Sequence, residues 1–161
     1  MDKLQVLEKV FIYDRMLRFN IDLLTGIKME IKADVEETKI IGESLLGEGE
    51  LKLMGKFLNK VEGEFLRELE NVLEEIYDEY EVFNFDITFL SNLPEEVGRD
   101  IERLELVSNI NSRLKFLSEL LSGACFLSDT NRKMEVIFTP FRVYCELINH
   151  AIEFNKKFEN I

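Results

Sequence analysis

Proline, glycine, cysteine, tryptophan and histidine are all scarce in this chain: two, eight, two, none and one in 161 residues. With 46% hydrophobic and 32% charged residues beside so little Pro and Gly, collagen-like, low-complexity and wholly disordered classes are excluded. One soluble globular domain over 1–161 is expected. Cys125 and Cys145 lack CxxC spacing and sit among apolar neighbours. They read as reduced core thiols of a cytoplasmic protein and not as a disulfide or zinc framework. The single His150 is too few for a ferritin-like di-metal bundle, which takes a Glu-x-x-His from each of two helices. No basic start, apolar stretch and small-residue cleavage site open the chain, and no run nears the roughly 20 apolar residues of a bilayer span. Neither a secretory signal nor a membrane segment is expected.

Positive charge is the other shortage. Twenty Lys and Arg against 32 Asp and Glu leave a formal charge of -12. Such a balance repels phosphate backbones and anionic lipid, so direct nucleic-acid and membrane partners are not expected, whereas a basic protein partner or a cation is favoured.

What the chain has in abundance is helical periodicity. Between 4 and 27, two adjacent stripes (Leu7, Val10, Leu17, Ile21, Leu24 and Ile12, Met16, Phe19, Leu23, Ile27) cover more than half of a helix. The narrow remaining arc carries Asp14, Arg15, Arg18 and Asp22, so this helix is central or lies at a subunit interface. Thr25-Gly26 weakens it, and a more exposed stretch continues to about Leu46, where Gly42, Gly47 and Gly49 end it. From 51 to 81, Met54, Leu58, Val61, Phe65, Leu69, Val72, Ile76 and Tyr80 mark one apolar face on a helix about 45 Å long. Asn92-Leu93-Pro94-Glu95 has the form of a capping-box start for a third long helix, with Ser122-Gly123 as its stop. Ser128 to Asn131 is a turn cluster, and Thr139-Pro140 caps a final helix with Tyr144, Leu147, Ile148, Ala151, Ile152 and Phe158 on its face. The expected fold is therefore all-α, an elongated bundle of four to six helices. The alternation Phe83, Phe85, Ile87, Phe89 suits a loop, or a minor strand paired with 134–138 in an α+β alternative.

Chemistry is harder to find. The run Glu62–Glu81 holds nine carboxylates against Arg67 alone, -8 of the total charge, with like charges stacked four apart (Glu64/Glu68, Glu70/Glu74, Glu74/Asp78, Glu75/Glu79). Each such pair costs roughly 0.2–0.5 kcal/mol on an isolated helix. A solvated outer face explains the run; so do docking of a basic protein, imitation of nucleic-acid charge, and a divalent cation. Helical nucleotide pyrophosphohydrolases hold Mg²⁺ with Glu-Glu-x-x-Glu followed by Glu-x-x-Asp. Here Glu75 and Asp78 supply the second element, but Glu36-Glu37 lacks its third carboxylate. His150 follows Glu146 by four residues and suits a structural pair; a ribonuclease-like pairing with Arg142 has the wrong spacing. Gly47-Glu48-Gly49-Glu50 lacks the Lys of a phosphate loop, and neither cysteine has an adjacent base. No catalytic residue, metal ligand or cofactor is assigned.

The part from Leu106 to Ile161 is by contrast slightly basic, seven cations to six carboxylates. That polarity permits self-association into a homo-oligomer, but intramolecular packing of the acidic helix against the basic part is the simpler expectation. The sequence thus points to a non-enzymatic interaction module, an adaptor, regulator or chaperone-like bundle. It would dock a basic or amphipathic protein through Glu68, Glu70, Glu74, Glu75, Asp78 and Glu79. A divalent-metal-dependent nucleotide phosphohydrolase and an acidic nucleic-acid mimic are the alternatives.

Overall fold

The apolar stripe of the second helical region advances slightly too slowly for a straight α-helix. Its seven steps from Met54 to Tyr80 cover 26 residues, nearly one more than 3.6-residue turns would use. In the computed structural model, which describes residues 3–88 and 100–158, that surplus is absorbed at one place. Helix α2 (Glu48–Lys60) passes through a π-helical turn (Val61–Phe65) into α3 (Leu66–Thr88) without a break in the rod. The wider turn takes up the extra residue, so Met54, Leu58, Val61, Phe65, Leu69, Val72 and Ile76 are all buried.

Among the described residues four rods make an all-α bundle: α1 (Lys3–Leu45), the α2–α3 rod, α4 (Asp100–Ser128) and α5 (Arg132–Lys156). Strands are absent among the described residues. At about 1.5 Å per residue the 43 residues of α1 extend some 64 Å, which makes the bundle elongated. Helices α4 and α5 form the tightest hairpin; α1 packs on both α3 and α5, and α3 also packs on α4. Helices α3 and α5 therefore stand on one diagonal. A single apolar cluster, including Leu17, Leu24, Phe65, Leu69, Leu114 and Phe141, runs through the centre.

Several local expectations are corrected. Helix α1 is continuous through Thr25-Gly26 and through Gly42. A Cβ at Gly42 would collide with the Met54 Sδ atom, so this glycine permits close approach of α1 and α2 and does not end a helix. Gly123 likewise lies inside α4, its Cα side covered by the Phe57 ring. The backbone of 83–88 is helical, and Phe89 and the 92–95 start lie outside the described residues. No strand pair forms among the described residues, because Met134, Ile137 and Phe138 take helical spacing within α5 and are buried there. Leu147, assigned to the inner face of that helix, is partly exposed. The cap of α5 is Asn131 and not Thr139-Pro140: the Asn131 side chain accepts from the Met134 amide at 3.0 Å. Pro140 sits inside the helix, and the Thr139 hydroxyl donates to the Glu135 carbonyl one turn back.

One polar feature interrupts the core. Asn20 and Asn155, both fully buried, exchange two hydrogen bonds, Asn20 Nδ2 to Asn155 Oδ1 at 2.7 Å and Asn155 Nδ2 to Asn20 Oδ1 at 2.9 Å. Asn155 Nδ2 also donates to Asn111 Oδ1 at 2.9 Å, so one amide ties α1, α4 and α5 together. Asn20 Nδ2 donates further to the Met16 carbonyl and Asn111 Nδ2 to the Ile152 carbonyl.

Two outcomes are expected. Asn155→Ala leaves two buried acceptors unpaired, at about 1–3 kcal/mol each, and should lower the urea-unfolding free energy by on the order of 2–4 kcal/mol with an unchanged slope. Deleting exposed Gly63 from the π turn should give a regular helix that keeps its helical circular dichroism and cooperative melting. Deleting Asn71, one turn into α3, rotates the stripe on one side by about 100° and should abolish cooperative unfolding.

Candidate functional site

The acidic helix is the first place to look, since it concentrates the charge. Burial of the Val61 to Ile76 stripe turns most of its carboxylates away from the core, but they do not share one fate. Glu68 meets Arg113 of α4: Arg113 Nη2 lies 3.1 Å from Glu68 Oε1, and Arg113 Nε donates to the same oxygen at 3.2 Å. Arg113 Nη1 also pairs with Glu75. A single guanidinium therefore neutralises two of the six expected contact residues, and the acidic helix packs intramolecularly on the slightly basic part of the chain. Glu70 lies 3.7 Å from Lys28 Nζ of α1, and Glu79 accepts from the Tyr13 hydroxyl at 3.3 Å. Lys39 of α1 pairs with Glu62 at 2.8 Å, which raises the Lys39 pKa. Glu74 and Asp78 are exposed and make no hydrogen bond or ion pair among the described residues. Tyr77, exposed beside them, adds an apolar ring to this outer face, and Met29 of α1, next to Lys28, is also exposed. The six residues are thus divided: Glu68, Glu75 and Glu79 face inward partners, while Glu70, Glu74 and Asp78 present charge outward.

For metal chemistry the arrangement is poor. Glu75 turns to Arg113 while Asp78 projects to solvent, so the Glu-x-x-Asp pair does not converge. Among the described residues no group of three or more His, Cys, Asp or Glu is placed to hold a metal ion. Glu146 pairs with Arg142 at 3.4 Å and not with His150, which is exposed.

Three sites carry no clear mark in the sequence. Glu50, inside the Gly47–Glu50 stretch, caps α2 by accepting from the Gly47 amide at 3.2 Å, and its other oxygen accepts from Asn131 Nδ2 at 2.9 Å. The Asn131 bond, helped by the Gly47 amide, lowers its pKa. This carboxylate joins the two helix starts at one end of the bundle. Tyr144 of α5 donates to Asp34 of α1, and burial, reinforced by that carboxylate, pushes the phenol well above its ordinary range. Cys145 is buried and lies 3.5 Å from the Ser118 hydroxyl, while Cys125 is half-buried beside it; burial, then the Cys145 thiol, raises the Cys125 pKa. Both thiols are free, and the raised pKa of Cys125 disfavours its reactive thiolate. No helix among the described residues is long and apolar enough to cross a membrane.

Because Arg113 compensates two carboxylates, Arg113→Met should destabilise the fold by roughly 1 kcal/mol at low salt and by less at high salt, measured by urea unfolding at both.

No protein-family model matches the chain, and no solved structure matches it. A protein of Aquifex aeolicus (strain VF5), described as an uncharacterized protein, is 52% identical over 158 residues, covering 98% of this chain and 95% of its own length. At that identity over nearly the whole of both sequences, the chain belongs to one family with the Aquifex aeolicus protein.

Proposed function

We propose that the protein is a non-enzymatic interaction module of the cytoplasm, an adaptor, regulator or chaperone-like bundle that docks a basic, amphipathic protein segment on the outer face of α3. The observation that carries this reading is the exposure of Glu74 and Asp78, without ion pairs among the described residues, on the face of α3 that also exposes Tyr77. Carboxylates left in water lose little when a cation from a partner approaches, and an aromatic ring beside them supplies apolar area and a cation–π surface. Glu70 joins this face, since its contact with Lys28 is long and both side chains are substantially exposed. Glu68, Glu75 and Glu79 support the face from behind by fixing α3 against α4 and α1. The phosphohydrolase alternative draws no support from the geometry, because its carboxylates diverge.

The test is affinity capture from the source organism's lysate at low and moderate salt, comparing the parent with Glu70→Lys/Glu74→Lys/Asp78→Lys and with Glu68→Gln/Glu75→Gln. A partner held by the parent should be lost from the triple-lysine variant and at moderate salt, yet kept by the glutamine pair. A partner whose affinity is indifferent to the triple reversal overturns the reading.

A further inference from the structure

Away from the acidic face, a cavity of about 370 Å³ opens between α4 and α5, within the size range of small-molecule sites. Its chemistry follows from which hydrogen-bonding ends are already taken. Asn111, nine-tenths buried, has its oxygen occupied by Asn155 Nδ2. That bond fixes the amide so that the nitrogen lies toward Ile152, whose carbonyl engages one N–H at 3.3 Å and whose side chain is the apolar part of the lining. A primary amide carries two N–H groups, so one remains. Asn149 repeats the pattern: its oxygen accepts from the Ser118 hydroxyl at 2.7 Å, and its nitrogen has only the Cys145 sulfur at 3.9 Å. The hydroxyls of Ser108 and Ser112 on α4 make no hydrogen bond among the described residues, and Lys115 makes no ion pair there. Lys156 completes the ring, shared with Glu153 at 3.1 Å.

Both asparagines thus have their oxygens bonded within the protein and keep an amide N–H without an oxygen acceptor, in a lining that also holds two hydroxyls and two ammonium groups. No carboxylate is part of the lining among the described residues. We infer that this cavity binds the phosphate group of a small phosphorylated molecule, with Asn111, Asn149, Ser108 and Ser112 donating to its oxygens and Lys115 and Lys156 balancing its charge. A phosphate monoester offers three terminal oxygens and close to two negative charges, which matches six donors from two helices better than the two oxygens of a carboxylate do. Ile152 leaves one apolar wall for the rest of the ligand. The site is independent of the acidic face, and either can fail without the other.

The experiment is a titration of the full chain with inorganic phosphate, ribose 5-phosphate and acetate, followed through the side-chain amide signals of Asn111 and Asn149 by NMR. The two phosphates should shift both signals saturably, and acetate should not at equal concentration. Lys115→Ala should weaken binding about tenfold, the scale of one charge-assisted hydrogen bond, and Asn149→Asp should abolish it by placing a carboxylate against the anion. Both positions are exposed, and an unchanged thermal melting profile verifies that the variants fold. Absence of a saturable shift, an equal response to acetate, or undiminished binding by Lys115→Ala overturns the assignment.

Discussion

The buried amide ladder of Asn20, Asn155 and Asn111 is the constraint on which the bundle's register rests. Apolar helix faces tolerate sliding by a turn or rotating slightly, since one aliphatic contact is exchanged for another at modest cost. Three amides buried between α1, α4 and α5 do not, because each displaced partner becomes an unpaired polar group in a low-dielectric interior. Asn155 donates to two residues at once, so α1, α4 and α5 have one shared alignment in which all the bonds are made. The same ladder occupies the Asn111 oxygen, so that what this residue can offer the α4–α5 cavity is an N–H donor.

Charge is organised by the same packing. A helix carrying stacked carboxylates is poor on its own, yet α3 is held by cations from both flanks. Arg113 comes from α4, and Lys28 and Arg18 come from α1, where Arg18 Nε donates to the Tyr80 hydroxyl at 2.9 Å. The Asp14–Arg18 pair, 3.3 Å apart, orients that arginine from within α1. These contacts relieve the repulsion nearest the core and leave the outermost carboxylates in water. The division between structural and presented acids therefore follows from helix rotation: those within reach of a neighbouring helix are neutralised, and those pointing radially outward are not.

Glycine serves this fold by permitting approach and not by making turns. Gly42 lets the Met54 side chain lie against α1, and Gly123 lets the Phe57 ring lie against α4. Phe57 in turn meets Phe138 and Phe141 edge to face, each with ring centroids 5.3 Å apart, so the short α2 is anchored at the centre of this end of the bundle. Across the chain, Glu50 and Asn131 cap their own helices and bond to one another, closing the same end.

The sequence by itself determined that the chain is helical, that 54–80 carries one long apolar face, and that the negative charge is concentrated behind it. These properties depend on the spacing of neighbours within a helix, and that spacing is written in the order of residues. Even the π turn is implicit in a stripe stepping by about 3.7 residues where an α-helix steps by 3.6. Helix ends were less legible: Gly42 and Gly123 resemble stops and Pro140 a start, yet each lies within a helix, because local propensity weighs less than a partner packed against the residue. Only the tertiary structure decided which carboxylates are paired, since Arg113 lies 38 residues beyond Glu75 and no spacing rule links them. It likewise decided that Asn20, Asn111 and Asn155 meet, and that the Asn111 and Asn149 oxygens are taken by partners on the neighbouring helix. Contacts between helices depend on rotation and register, quantities that exist only once the rods are packed together.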